Sequence, residues 1–360
     1  MAKLCRRFKN RKSHGCNRPF CNDWKVAGCL KQNYHMMQYK ENRLYDALVV
    51  GRAGLDLYPQ PVGSKTRDAE LFASDVGGSG ANIAIAMKRA GGKVGLISAL
   101  SDDPVGEFVR LRLEIEGIDL QMMQKTYGDE RTSLAIAEVR QEDCEVVIYR
   151  NNPADLQIVC NEDVKLAITQ SQNLIITGTS LIEAESRKQT LKMMVYAQKN
   201  DCKVWLDLDY RPWNWPDQKT TRFVYQEAAG LTNVLVGNEE EFKILQEDIN
   251  IQVKQCVASN QVMILKRGKS GCSLFFGKDR LDTGIYNLPA LKPYGSGDAF
   301  LGNVIMNYMS SRDWQLAIES GSAAAAIVVS KQGCASAMPK MEEIELLQKQ
   351  IIIKPKTIWS

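Results

Sequence analysis

GGSGANIAIAMKRAGGKVGLISAL, residues 77–100, reads as a glycine turn, a helix, a glycine stop and a strand. Residues 81–90 are helical in composition and end at Gly91-Gly92, where glycine readily takes the left-handed conformation that closes a helix. KVGLISAL (93–100) then returns as a strand. The same rhythm extends in both directions. YDALVVG (45–51) is a short apolar run ending in glycine, as for a buried strand, and PVGEFVRLRLEIEG (104–117) is a helix with proline near its start. NLIITG (173–178), KVWLDLD (203–209), NVLVGN (233–238) and QVMILKRG (261–268) are further strands, with helices at 183–199 and 218–229. Two short β segments lead to a glycine turn at 295–297, and helices close the chain, including SAAAAIVVS (322–330).

Strands alternating with helices require a parallel sheet covered on both faces. TSLAIAEV (132–139) and EVVIYR (145–150) break the rhythm; their alternation predicts a β-hairpin. With the stretch near 55–75 they form a small antiparallel lid. The expectation is a doubly wound α/β domain over 45–350, its mostly parallel sheet flanked by helices, preceded by an extension over 1–44.

That extension differs in composition from the rest. Residues 1–40 hold ten Lys/Arg against the single acid Asp23, while the other 320 residues hold 36 basic and 41 acidic side chains. The body therefore gives no reason to expect a nucleic-acid partner, and the tail reads as a solvated basic segment. No apolar run is long enough to span a bilayer, and the start lacks the apolar region of a signal peptide. A cytoplasmic location follows as the expectation. The cysteines are scattered and do not suggest a disulfide framework. Both histidines, His14 and His35, lie in the tail, so the body has no Ser-His-Asp triad and no His-ligated metal. Proton transfer there falls to carboxylates, Lys, Tyr or Cys.

Gly295-Ser296-Gly297-Asp298-Ala299-Phe300 runs from a glycine turn into an apolar helix. Backbone N–H groups at such a helix start are unpaired and make an anion site. Asp298 falls in the first turn, where it either caps the helix or accepts a proton from a hydroxyl attacking a phosphate. Two better-known phosphate loops fail the spacing test. Gly268-Lys269-Ser270 would end a P-loop only with glycine at 263, which is Met263. A dinucleotide fingerprint from Gly78 or Gly295 would need a small residue where Ile83 or Phe300 stands.

Gly77-Gly78-Ser79-Gly80-Ala81-Asn82 is a second glycine turn entering a helix, and the Asn82 amide suits a polyol hydroxyl. Asp56, soon after the first strand, is either a turn residue or an acceptor for two sugar hydroxyls. Asn238-Glu239-Glu240-Glu241 follows a strand, where carboxylates either begin a solvated helix or hold Mg²⁺ through water.

In this order the segments resemble the ribokinase (PfkB) family of carbohydrate kinases over nearly all of 45–340. GGSGANIAIAMKRAGGKVGLISALSDDPVGEFV (77–109) is similar to the first family signature and GSGDAFLG (295–302) to the second. GRAGLDLYP (51–59), YRNNPADLQI (149–158), LDLDYRPWNWPD (206–217), VGNEEE (236–241) and CASAMP (334–339) resemble a branch that acts on a sugar acid of myo-inositol catabolism. The resemblance implies a ribokinase-like fold and transfer of phosphate from ATP to a sugar-acid hydroxyl. Mg²⁺ would accompany ATP, and a monovalent cation is a further possibility. Asp298 would be the catalytic base, with Gly295, Ser296 and Gly297 as anion hole. Asp56, Gly78 and Asn82 would bind sugar, and Lys266, Gly268 and Gly271 nucleotide. Asn238 and Glu241 would organise Mg²⁺. Family members often dimerise through the lid, so a homodimer is implied.

The acid's carboxylate calls for a guanidinium, and among Arg52, Arg150 and Arg211 the lid-strand residue Arg150 is the expected partner. One departure stands out. Where the family usually has Asp or Asn, then Thr or Gly, ahead of the glycine turn, this chain has Lys292-Pro293. The alternatives that remain are another sugar kinase of the family, acting on 2-keto-3-deoxygluconate or fructose, and a relative that binds sugar and nucleotide without catalysis.

Overall fold

The computed structural model describes residues 37–353, except 38 and 41, together with 357–359. The basic segment 1–36, with both histidines and four of the cysteines, lies outside the described residues. The strands are β1 (Tyr45–Val50), β2 (Gly54–Gln60), β3 (Leu71–Gly77), β4 (Val94–Ser101), β5 (Met123–Thr126), β6 (Ser133–Ala137) and β7 (Val146–Tyr149). They continue as β8 (Ser171–Thr177), β9 (Lys203–Asp207), β10 (Val234–Asn238), β11 (Val262–Lys266), β12 (Cys272–Phe276), β13 (Asp279–Thr283) and β14 (Thr357–Trp359). The helices are α1 (Ser79–Arg89), α2 (Pro104–Ile115), α3 (Glu162–Thr169), α4 (Ala184–Lys199) and α5 (Gln218–Ala229). After them come α6 (Glu239–Leu245), α7 (Ile249–Ala258), α8 (Ser296–Ser311), α9 (Trp314–Val329) and α10 (Met341–Gln350).

A ten-stranded sheet has the order β14-β13-β12-β11-β10-β9-β8-β1-β4-β5. Pairing is parallel from β5 across to β11 and antiparallel from β11 to β14. The fold is therefore the expected α/β arrangement, mostly parallel and covered by helices. Side chains alternate across each buried strand and so feed two cores. Ala47, Val49, Leu96, Ile175, Val236 and Ile264 pack on one face with α1, α8, α9 and α10. Leu48, Val50, Ile97, Leu174, Ile176, Leu206 and Leu235 pack on the other with α3, α4 and α5. The chain winds one way from β1 to β4 and β5, then returns on the far side of β1 with β8. This reversal opens a crevice at the carboxyl ends of the strands, where open α/β sheets bind ligands.

The lid is a separate four-stranded sheet, β3-β2-β6-β7. β2 pairs antiparallel with β3 and parallel with β6, and β6 with β7 makes the expected hairpin. Its inner face carries the buried Asp56, Tyr58, Ala135 and Ala137. Its outer face carries Phe72, Val147 and Tyr149, which are 39%, 50% and 56% exposed.

The second compact unit begins at Met37. The Tyr39 hydroxyl donates to Asn173 Oδ1 (3.2 Å), and Lys40 pairs with Asp201 (2.9 Å). Arg43 donates to the carbonyls of Ser171 and Asn200. These are polar and aromatic anchors, which leave no trace in apolar periodicity. Among the described residues no helix is long and apolar enough to cross a membrane.

Candidate active site

The helices α1 and α8 both begin with glycine at the N-cap and no capping side chain. By contrast α2, α3, α5, α7 and α9 each start with an Asp or Asn side chain that accepts from the first-turn amides. In α1 the Ala81 N–H donates to the Arg52 carbonyl at 3.1 Å, while the amides of Ser79 and Gly80, like the first amides of α8, meet no capping side chain. Gly78 holds φ +99° and lies against the backbone of Arg52, where a Cβ would come within 2.4 Å of the carbonyl oxygen. Gly295 holds φ +83°, the left-handed turn that swings the chain into α8.

The two helices pack closely because Gly302 of α8 admits Ala86 of α1; a Cβ at Gly302 would stand 2.7 Å from that methyl. This close approach lets the Asn82 Nδ2 group donate to Asp298 Oδ2 at 2.8 Å. The structure thus joins the two glycine turns that the sequence placed far apart. Burial pushes the Asp298 carboxyl up to about 7, reinforced by the charges of Asp209 and Asp207 and opposed by the Asn82 hydrogen bond and Lys266. A carboxyl poised there can take up a proton near neutrality.

Around this pair lie side chains from three strand ends, those of β9, β10 and β11. Lys266, closing β11, pairs with Asp207 of β9 at 2.9 Å, and its ammonium would lie 3.4 Å from a Cβ on Gly297. Burial works against the Lys266 charge, but Asp207 and Glu241 outweigh it and hold the group protonated. Asp209 pairs with Arg211 at 2.7 Å. Gly268 and Gly271 shape the tight turn after β11, with Arg267 N–H donating to the Gly271 carbonyl at 2.8 Å. Asn238 and Glu241 form a reciprocal capping box at the start of α6: Asn238 N–H donates to Glu241 Oε2 (2.7 Å) and Glu241 N–H to Asn238 Oδ1 (2.9 Å). One Glu241 oxygen is therefore spent on its own helix.

Asp56 projects from the lid's inner face into this crevice, 6% exposed, with Oδ2 accepting from the Tyr58 hydroxyl at 3.1 Å. Burial raises its pKa, against the pull of Arg52, Tyr58 and Lys292. Among the described residues Asp56 Oδ1 and Asn82 Oδ1 are buried without a hydrogen-bond partner. Each of these oxygens has the capacity to accept a hydrogen bond from a ligand donor.

Arg150, the guanidinium expected to meet the acid's carboxylate, has partners within the protein. Its Nη2 serves the buried Asp155 and donates to the Thr179 carbonyl (3.2 Å), while Nε reaches Asp155 at 3.4 Å. Most of this guanidinium is bound within the protein. Arg52 instead meets only the Ser133 hydroxyl, at 3.0 Å, and makes no ion pair among the described residues. Sequence reasoning gave no role to Asp207 and Asp209. Their signal was an Asp-x-Asp at the end of a buried strand, where a carboxylate has no packing reason to stand.

Residues 46–341 match the description pfkB family carbohydrate kinase. A 5-dehydro-2-deoxygluconokinase of Photobacterium profundum is 38% identical over 313 residues, which is 84% of this chain and 94% of that protein. A putative ribokinase II from E. coli, in complex with ATP and Mg²⁺, superposes with a TM-score of 0.77 at 19% identity, covering 86% of this chain and all of the other. A fructokinase variant from Vibrio cholerae, in fructose-, ADP- and potassium-bound form, gives a TM-score of 0.73 at 19% identity, covering 86% and 99% of the two chains.

Proposed function

The chain belongs to the pfkB family of carbohydrate kinases, and from that premise we propose that it phosphorylates the terminal hydroxyl of 5-dehydro-2-deoxy-D-gluconate with ATP in the cytoplasm, in myo-inositol catabolism. Its reaction class is ATP-dependent phosphorylation of a sugar or sugar-acid hydroxyl. The observation that carries the reading is the Asp298 carboxyl, raised to about 7 and held by Asn82, at the uncapped start of α8. The relative from Photobacterium profundum supports the substrate assignment.

In this reading Asp56 and Asn82 accept sugar hydroxyls through their unpartnered oxygens. The substrate hydroxyl attacks the γ-phosphorus; its O–P bond forms as the bond to the β,γ-bridging oxygen breaks and ADP leaves. Asp298 accepts the hydroxyl proton. The amides of Gly295, Ser296 and Gly297 and the Lys266 ammonium meet the charge that develops on the phosphoryl oxygens. Gly268 and Gly271 let the nucleotide approach the backbone after β11. Mg²⁺ arrives with ATP as part of the substrate, and Asn238 and Glu241 order the water around it.

The acid's carboxylate takes a guanidinium. Arg150→Ala is expected to raise KM for the acid; an unchanged KM there with a raised KM in Arg52→Ala would move the role to Arg52. The reading also makes the chain a homodimer through the outer lid face of Phe72, Val147 and Tyr149, with no nucleic-acid partner. Sedimentation of wild type against Val147→Lys checks this, and a monomeric wild type sinks it. The primary test is ADP release with Mg-ATP across a panel of sugar acids and ketoses, with Asp298→Asn as blank. Selective turnover of the inositol-derived acid supports the proposal. Preference for another sugar overturns the substrate, and binding without ADP formation overturns the catalysis.

A further inference from the structure

Lys292 is among the largest fully buried side chains of the protein, with 1% of its surface exposed. An ammonium has three donors. Here Nζ donates to the Tyr294 carbonyl at 2.8 Å and lies 4.9 Å from the centre of the Tyr294 ring. Among the described residues it makes no ion pair; no carboxylate oxygen comes within 4.0 Å, the distance within which the ion pairs of this structure are formed. Burying a charge with so little compensation is expensive.

The position makes the cost greater. Nζ would stand 3.4 Å from a Cβ on Gly295, the N-cap of α8, so the charge sits at the positive end of that helix. The Lys266 ammonium flanks the same turn from the Gly297 side, but Asp207 neutralises it. Burial pulls the Lys292 pKa down, while Cys334, Asp298, Asp56 and Asp75 act through space to retain the proton. Among the described residues no carboxylate pairs with this positive charge directly. A polyanion docked on the turn would.

A second observation concerns which charge stands at this position. The family resemblance leads to the expectation of an Asp or Asn oxygen ahead of the turn, a group that attracts a cation. This chain presents the cation itself, and the ammonium already occupies a backbone carbonyl, that of Tyr294, of the kind that would coordinate a potassium ion. The residues at this point do not fit a separate monovalent ion.

We infer that Lys292 serves as a tethered monovalent cation beneath the anion-binding turn, so that phosphoryl transfer proceeds without potassium or ammonium ions. The inference rests on the kinase reading above. It also recasts the departure at 292 as a substitution of a covalent charge for a diffusible one.

The test measures ADP release by the full-length wild type in potassium chloride and in tetramethylammonium chloride at matched ionic strength. Equal rates are expected. An increase of about tenfold in potassium, equivalent to about 1.4 kcal/mol of transition-state stabilisation, overturns the inference. Lys292→Ala is expected to lose about 10²-fold in kcat, the scale of one lost electrostatic donor, and to regain part of it with potassium, ammonium or methylammonium. A variant that keeps the wild-type rate, or that responds to none of these ions, overturns it as well. Should Lys292→Ala not fold, the wild-type comparison decides alone. If no sugar is turned over, the kinase reading has failed rather than this one. Calorimetry of Mg-bound ATP analogue binding then decides: affinity unaffected by potassium in the wild type, but potassium-dependent in Lys292→Met, upholds the tethered cation, and the reverse overturns it.

Discussion

Asn82 Nδ2 donates to Asp298 Oδ2 at 2.8 Å across 216 residues of chain. The bond ties the start of α1 to the start of α8 and leaves the other oxygen of Asp298, Oδ1, outside it. It also favours the ionised carboxylate, against the burial that raises its pKa.

Activity should therefore fall on the acid side of neutrality. With Asp298 titrating at about 7, kcat/KM is expected to drop tenfold per pH unit well below that value, and a pH profile checks the slope. Asp298→Asn should lose about 10²–10⁴-fold in turnover while still binding ATP.

The same shift has a consequence for stability. The folded pKa lies above the ordinary 3.8, so the native state binds this proton more tightly than the unfolded chain. The ionised carboxylate consequently weakens the fold as pH rises from about 4 to beyond 7. Asp298→Asn removes that penalty. Its Tm should exceed the wild type's at pH 8, by an amount corresponding to about 1–3 kcal/mol, and the difference should fade toward pH 4. Calorimetric melting at several pH values is the check.

Removing the amide acts in the opposite direction on titration. Asn82→Ala takes away a hydrogen bond that lowers the Asp298 pKa, so the acid limb of the pH profile should move upward. A loss of roughly tenfold to a hundredfold in kcat/KM is expected, since both base and substrate contact suffer. An unshifted limb would mean that Asn82 does not govern the carboxylate.

Lys266, partly exposed, is the ion-pair partner of the buried Asp207. Lys266→Met leaves Asp207 uncompensated and should cost about 3–5 kcal/mol in urea unfolding, whereas the double change with Asp207→Asn should recover most of it. Turnover should stay low in both, because the charge beside Gly297 is gone in each.

Gly78 combines φ +99° with a backbone carbonyl 2.4 Å from where a Cβ would stand. Gly78→Ala should cost at least 1–3 kcal/mol, roughly the range for a forced backbone conformation, and should displace Asn82 enough to depress turnover. Unfolding curves and ADP release, measured together, would show whether the two losses go in step.

The sequence by itself determined the alternation of most strands and helices, though not β5, α3 or α7, and the hairpin of the lid and the two glycine turns, because these depend on neighbouring residues. Apolar runs of period two or near 3.6, and glycine where φ must be positive, are visible within a few positions. It also singled out Asp298 and Asn82 by their places beside those turns and Asp56 by its place after the first strand, while Lys266 came only from the family resemblance. Only the tertiary structure decided which of these side chains meet. The Asn82–Asp298 bond, the spending of Arg150 on Asp155, and the close pairing of Lys266 with Asp207 are meetings in space. The burial of Lys292 is of the same kind: Leu291 and Lys292 donate their amides to the Val329 carbonyl at the end of α9, and that contact carries the ammonium under the turn. A local pattern gives a side chain its direction from its own strand or helix. Its partner, its burial and its charge state come from elements that the chain brings back only after folding.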